Sequence, residues 1–416
     1  MGRFIWADLR RIWPGALVMV VLVALAVALG TGVTLQERAL RLGSARAASA
    51  FDLVIGAPGS ETQLALSTVF LQAAALPLMP GEVLAELEAD PRVAWAAPVG
   101  FGDYYDDIPL VGTTTRLVEE IVPAFAGGRM FVNQGEAVIG ARVPLQIGAR
   151  ITPSHGAVSH GGAAHQDVAY DVVGRLQPTG TAWDRAILVP IRSVWAVHGM
   201  ADGQEHDHEA KPGHDDHDHA HGADASAPLD ERWHGAETPG LPAVLVKPAS
   251  IADAYKLRQE YRARPDTLAV FPAEVLTGLY GLMGDARQVL AAVAIGAQAL
   301  VAVALVMVTV IHVGQRRRQV AALRAFGAPR GAIFVLVWSQ MLVLLAAGIL
   351  LGHAAGWLAA VQLSRLVAAR QGFALPVEWA AGDAGAFALL LGVGAVLAAL
   401  PAWIAYRQPA VASLRG

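Results

Sequence analysis

Apolar residues follow two different patterns along this chain. Four stretches are almost uninterrupted: Pro14–Leu35, Gln288–Ile311, Gly331–Val361 and Ala384–Ile404. Each supplies the roughly 20 apolar residues that a helix needs to cross a hydrocarbon core. They predict four transmembrane helices, at residues 14–35, 286–312, 331–361 and 383–405. Between the first two, residues 36–285 mix polar and apolar positions in the manner of a domain in water.

Within that domain the periods are short. Gln36–Ala50 reads as a helical extension of the first span, with Arg38, Arg41 and Arg46 on a polar side. Strands are predicted at Phe51–Gly56, Val93–Pro98, Ile108–Gly112, Ala137–Gly140, Tyr170–Leu176, Ala186–Pro190 and Ala243–Val246. Pro80–Glu88 predicts a helix with proline in its first turn, where a missing N–H costs nothing. Another begins at Ser250, with Asp253 three residues on as in a capping box. Its apolar residues Ile251, Ala254, Tyr255 and Leu257 fall near one face. A last helix starts at Pro272 and leads toward the second span. The fold class that follows is a membrane protein of four transmembrane α-helices, with a large α+β extracytoplasmic domain between helices 1 and 2.

Charge sets the expected orientation. Arg3, Arg10 and Arg11 precede the first span, Arg316, Arg317, Arg318, Arg324 and Arg330 lie between the second and third, and Arg407 and Arg415 follow the fourth. Basic residues in short flanks stay on the cytoplasmic side. Segments 1–13, 313–330 and 406–416 are therefore assigned to the cytoplasm, and 36–285 and 362–382 to the outside. The first apolar run exceeds the 7–15-residue core of a cleaved signal peptide, which favours a retained anchor; cleavage would leave the domain on the same side. Only 16% of residues are charged, the net charge is −4, and there is no cysteine. No basic stripe points to nucleic acid, and disulfide and thiolate chemistry are excluded.

Candidate chemistry is sparse. Among only three lysines (Lys211, Lys247, Lys256) none sits in GxxxxGK[ST], so the chain lacks the phosphate cradle of an ATPase. GxSxG and HExxH are missing too, and no catalytic residue is assigned. A histidine-rich insertion occupies about 198–234, with His206, His208, His214, His217, His219 and His221 among Asp207, Asp215, Asp216 and Asp218. Imidazole and carboxylate together suit zinc or another divalent transition metal, in a multi-site, exchangeable manner because no closed zinc spacing is present. The alternative is a solvated low-complexity loop. His155, His160 and His165 are weaker companions. In the third span Gly348, Gly352 and Gly356 recur every fourth residue and permit close helix approach, either at a homodimer seam or within one subunit. His353 beside them is an ionisable group inside a membrane segment.

Several stretches resemble MacB/FtsX-type ABC transporter permeases. Arg316–Phe334 is similar to that family's cytoplasmic loop, and Leu400–Arg415 to its tail; Gly135–Arg142 and Asp171–Leu176 resemble, more weakly, segments of the MacB-type outer core. The resemblance implies an inner-membrane, homodimeric, stand-alone permease that works with a separate ATP-binding subunit and couples ATP hydrolysis to movement of its periplasmic domain. Arg316, Arg317, Arg318, Val320, Leu323, Arg324, Phe326 and Gly327 would then form an amphipathic coupling helix that docks on the ATPase, rather than a basic flank against anionic lipid. Two functions share these motifs. One is metal-linked export or substrate handling; the other is a non-transporting transmitter acting on a periplasmic partner such as a cell-wall hydrolase. A metal-sensing receptor is a third reading, without any local signalling motif to support it.

Overall fold

A computed structural model describes residues 13–72, 76–122, 124–155, 163–164, 168–200, 225–233, 235–279, 329–371 and 375–407, with isolated positions between 292 and 307. The chain divides into two compact units. One comprises residues 1–41, 282–366 and 376–416; the other comprises 42–281 and 367–375.

The first unit contains three helices that are long and apolar enough to span a membrane, among the described residues. They are α1 (Trp13–Ala48), α7 (Arg330–Gln371) and α8 (Ala381–Arg407). The span predicted at 286–312 lies largely outside the described residues. Ala16 and Met19 of α1, Met341 and Leu344 of α7, and Ala398 of α8 form one buried cluster. Val23, Val27 and Ile349 form a second, flanked by Phe387, Leu390 and Leu391. Leu17, Leu25, Leu350, Leu366, Leu389 and Val396 face outward, as lipid-facing side chains do, because hydrocarbon solvates them as well as a core would.

α7 runs on past the apolar stretch that predicts the span, through residues 362–371. Gln362, Ser364, Arg365 and Arg370 end the apolar run, yet the leucines, alanines and arginines here are good helix formers. Polarity stops before helicity does.

The second unit is an α+β domain of twelve strands among the described residues, in the path β12-β1-β11-β2-β3-β10-β5-β9-β4. The strands of the path are β1 (Leu53–Gly56), β2 (Val93–Tyr105), β3 (Ile108–Thr113), β4 (Phe125–Gly128), β5 (Glu136–Ile139), β9 (Tyr170–Leu176), β10 (Ile187–Pro190), β11 (Ala243–Pro248) and β12 (Leu268–Val270). Short strands β6 (Arg150–Ile151), β7 (Ser154–His155) and β8 (Ala163–Ala164) attach at its side. Most pairs are antiparallel; β3 with β10 and β5 with β9 are parallel. Among its helices are α2 (Glu61–Val69), α3 (Glu82–Ala89), α4 (Thr115–Ile121), α5 (Ile191–Val197) and α6 (Ile251–Ala263). One core joins Leu53, Ile55, Leu84, Leu87, Val244 and Tyr261. The other joins Leu110, Ala137, Ile139, Tyr170, Val172, Ile187 and Val189.

Ser250 caps α6: its Oγ accepts from Asp253 N and donates to Asp253 Oδ2 at 2.6 Å. The apolar face predicted for this helix is different in the structure. Leu257 and Tyr261 are its buried residues, while Ile251 is 82% and Tyr255 61% exposed. Tyr255 instead lies edge-on to Phe271, and the Arg258 guanidinium also covers that ring.

Candidate functional site

The histidines predicted to bind metal, His206, His208, His214, His217, His219 and His221, lie outside the described residues. So do Arg316, Arg317, Arg318, Val320, Leu323, Arg324, Phe326 and Gly327 of the predicted coupling helix. Among the described residues no three His, Asp or Glu side chains come together to hold a metal ion. The glycines of α7 are described, and their surroundings resolve an ambiguity left by the sequence.

All three face α1 of the same chain. A methyl group built on Gly348 would stand 2.7 Å from Val23 Cβ; on Gly352, 2.6 Å from Val27 Cβ and 2.7 Å from Ala24 O; on Gly356, 2.7 Å from Ala28 O. Carbon atoms pack at about 3.5–4.0 Å, so only hydrogen side chains permit this separation. The stripe is a seam within one subunit.

Farther along the same helices is a polar cluster. Arg38 of α1 forms a two-pronged ion pair with Asp383 of α8, at 2.7 and 2.9 Å, and also donates to Glu378 O at 3.0 Å. Asp383 Oδ2 additionally accepts from Ala380 N at 2.7 Å. Ser364 Oγ donates to Gln36 Oε1, joining α7 to α1. Two parallel N–H···O bonds fix orientation as well as distance, so this pair sets the register of α1 against α8. Beside it, His353, Trp379, Ala380, Asp383, Ala384 and Phe387 line an open recess of about 390 Å³. His353 donates through Nδ1 to Ile349 O at 2.9 Å and packs edge-on to Phe387. The pairing of an arginine at the end of one apolar helix with an aspartate at the start of another was available to sequence reasoning, since such charges seek partners. Its geometry was not.

In the α+β unit the two stretches singled out by resemblance, Gly135–Arg142 and Asp171–Leu176, become neighbours through the parallel pairing of β5 with β9. Glu136 accepts from Arg129 Nη1 and Nη2 at 2.8 and 2.6 Å and from Val132 N at 2.7 Å. These bonds, the Arg129 pair foremost, hold its carboxyl at about 2, far below the usual carboxylate range. Gly174 has no room for a side chain: a methyl there would meet Arg129 O at 2.1 Å. Arg175 donates to the carbonyls of Ala141, Val143 and Leu145 and so fastens the segment after β5.

That segment leads to Arg142, whose N–H donates to Asp184 O at 2.8 Å and whose Nη1 donates to Ala368 O at 3.2 Å. Arg185 Nη1 donates to Ala369 O at 3.0 Å. Two cationic side chains of the domain thus bind carbonyls in the last turn of α7, where the helix leaves acceptors unused and the dipole favours positive charge. Asp184 is buried and accepts from Thr179 N, Thr179 Oγ1 and Gly180 N, which holds the loop bearing Arg185 in place. Sequence reasoning named Arg142 only as part of a resemblance and missed Arg185. Nothing in local spacing links either to residues 368–369.

Residues 291–410 match the family model described as the FtsX-like permease C-terminal domain. Over that stretch the chain is similar to the FtsX-like permeases. The matched region contains α7 and α8, hence the α7 side of the glycine seam and the Asp383 side of the ion pair. No curated protein matches the chain. Among solved structures, one similar chain is the periplasmic region of MacB from Actinobacillus actinomycetemcomitans, at 9% identity and a TM-score of 0.32, covering 56% of this chain and 95% of that one.

Proposed function

We propose that this chain is an FtsX-like permease, the membrane subunit of an ABC system, and couples ATP hydrolysis by a separate ATPase subunit to movement of its α+β domain. The observation that carries this reading is the course of α7. The helix begins in the membrane unit, and its residues from 367 onward belong to the α+β unit, where Arg142 and Arg185 grip its carbonyls. α1 is likewise one unbroken helix from Trp13 to Ala48 and crosses from one unit to the other at residue 41. A helix resists bending because every internal N–H and C=O is bonded along its axis. Displacement at the membrane end therefore reaches the domain as displacement.

On this reading ATP is bound by the partner, since the chain carries no phosphate loop. The stretch 313–330 docks in a groove of that subunit through Val320, Leu323 and Phe326, with Arg316, Arg317, Arg318 and Arg324 around them. The working form is a homodimer in the inner membrane, with both termini cytoplasmic and the α+β domain in the periplasm. The His206–His221 run supplies the link to zinc or a related metal, either in export or in handling of a metal-bearing substrate. A non-transporting role, in which the domain signals ATPase state to a periplasmic partner such as a cell-wall hydrolase, rests on the same helices.

The test is ATP hydrolysis by the permease purified with its ATPase and reconstituted in lipid. Hydrolysis that depends on the permease supports coupling; a rate identical to the isolated ATPase sinks it. Zinc-dependent hydrolysis that disappears on deleting Glu205–Gly222 supports the metal link, and unchanged hydrolysis reduces the run to a passive insertion. Stimulation by a periplasmic protein without transport selects the second role.

A further inference from the structure

From Asp383 to Trp403 the helix α8 rises about 30 Å at about 1.5 Å per residue, which matches the hydrocarbon thickness of a bilayer. Aromatic and charged side chains stand at both ends of that distance. Trp403 is exposed, with the Arg407 guanidinium over its ring. At the other end Trp379 is exposed and shares a recess with Asp383, the partner of Arg38. Amphipathic rings and basic side chains collect where hydrocarbon meets headgroups. These two levels are the two membrane interfaces, and the recess beside Asp383 lies at headgroup depth.

The groups that line the recess share one polarity. Among the described residues they include no lysine or arginine. His353 gives its Nδ1 proton to Ile349 O at 2.9 Å, so Nε2 of the neutral ring is an acceptor. No described residue donates to that nitrogen. Asp383 accepts from Arg38 and from Ala380 N, but a carboxylate offers about four lone-pair sites, so it can take a further donor. Trp379 lies nearly parallel to the imidazole with ring centres 6.5 Å apart, and Phe387 stands edge-to-face with it at 5.2 Å. Aromatic faces attract cations. Lone pair, carboxylate and rings all favour one guest: a cation that carries N–H donors. An anion finds nothing to hold it, since both terminal nitrogens of Arg38 are engaged by Asp383.

We propose that this recess binds the primary-ammonium headgroup of an aminophospholipid of the phosphatidylethanolamine class. The ammonium sits against Trp379 and Phe387, donates to His353 Nε2 and is balanced by the Asp383 carboxylate. Deeper in the membrane, Leu350 and Leu351 of α7 and Leu389 of α8 face outward and receive the acyl chains. That apolar continuation makes the source a lipid and not a dissolved amine. Phosphatidylcholine lacks the N–H donor, and phosphatidylglycerol lacks the positive charge. A lipid held here braces α7 against α8 next to the Arg38–Asp383 pair, so headgroup composition bears on the packing of the membrane unit. The site is independent of the ATPase coupling proposed above.

The experiment uses the full chain purified in detergent, without any ATPase, so failure of this site and failure of ATPase coupling are separate results. Native mass spectrometry follows binding as dioleoyl phosphatidylethanolamine, phosphatidylcholine or phosphatidylglycerol is titrated. Phosphatidylethanolamine is expected to bind about tenfold more tightly than either of the others, as one ammonium–ring contact and one charge-assisted hydrogen bond supply. His353→Phe keeps a ring but removes the acceptor, and should erase that preference. His353→Gln keeps an acceptor and should retain it, which separates loss of the hydrogen bond from a packing defect. Trp379→Leu, at an exposed position where misfolding is not at issue, should also erase it. Equal affinity for the three lipids, a preference that survives both His353→Phe and Trp379→Leu, or displacement by dissolved ethanolamine as readily as by the lipid overturns the proposal.

Discussion

Gly352→Ala tests the arrangement of the membrane helices most directly. The added methyl would sit 2.6 Å from Val27 Cβ, 2.9 Å from Val27 Cγ1 and 2.7 Å from Ala24 O. Two of these atoms are fixed to the α1 backbone, so no rotamer change relieves the overlap. Restoring carbon contacts of about 3.5 Å requires α1 and α7 to move apart by about 1 Å. That loosens the packing around Val23, Val27 and Ile349. Overpacking of this kind costs about 1–3 kcal/mol. Replacing glycine with alanine inside a helix returns up to about 1 kcal/mol, so a net loss of about 1–2 kcal/mol is expected. Unfolding in detergent, followed at several protein concentrations, reads it out. Because the seam lies within one chain, the loss should be independent of concentration. Gly392→Ala, where an added methyl meets nothing within 4 Å, is the neutral control. Val27→Gly in the same chain should recover part of the loss, since it removes the closest carbon but leaves Ala24 O in place. A stability loss that grows on dilution would place the stripe between subunits and refute the argument.

Other consequences are equally open to measurement. Arg38→Ala and Asp383→Ala should each destabilise the membrane unit, and the double variant should lose less than their sum. A coupling energy of about 1–3 kcal/mol is expected in the cycle, and additivity would show that the pair contributes nothing. Glu136 is held at about 2 against an ordinary 4.5. Its contribution is therefore complete above pH 4.5 and lost as pH falls toward 2. Over that window the loss amounts to about 2–3 kcal/mol, and Glu136→Gln should flatten this limb of the acid unfolding curve. Arg142→Ala with Arg185→Ala should leave permease-dependent ATP hydrolysis in place while abolishing its dependence on a substrate or periplasmic client; a fully retained client response would show that these bonds transmit nothing.

Much of this architecture follows from the chain's local patterns. Uninterrupted apolar runs in α1, α7 and α8 specify membrane helices because lipid rewards every apolar face. The strands β1, β9, β10 and β11 are legible because short buried runs between turn residues have few other uses. The Ser250–Asp253 cap is a three-residue event and needs no tertiary knowledge. The sequence also marks Gly348, Gly352 and Gly356 as a close-packing stripe, but it names no partner, since small residues fit any neighbour equally well. Only the assembled helices decide for α1. The same holds for the polar clusters. Asp103 meets His198 across 95 residues, Arg38 meets Asp383 across 345, and Arg142 meets Ala368 across 226. Such pairings carry no periodicity, because they depend on where whole elements are placed and not on what surrounds each residue in the chain. Even α6 shows the limit: its cap was readable, yet Ile251 and Tyr255 are exposed. Which apolar residues a helix buries depends on the direction from which the sheet approaches it.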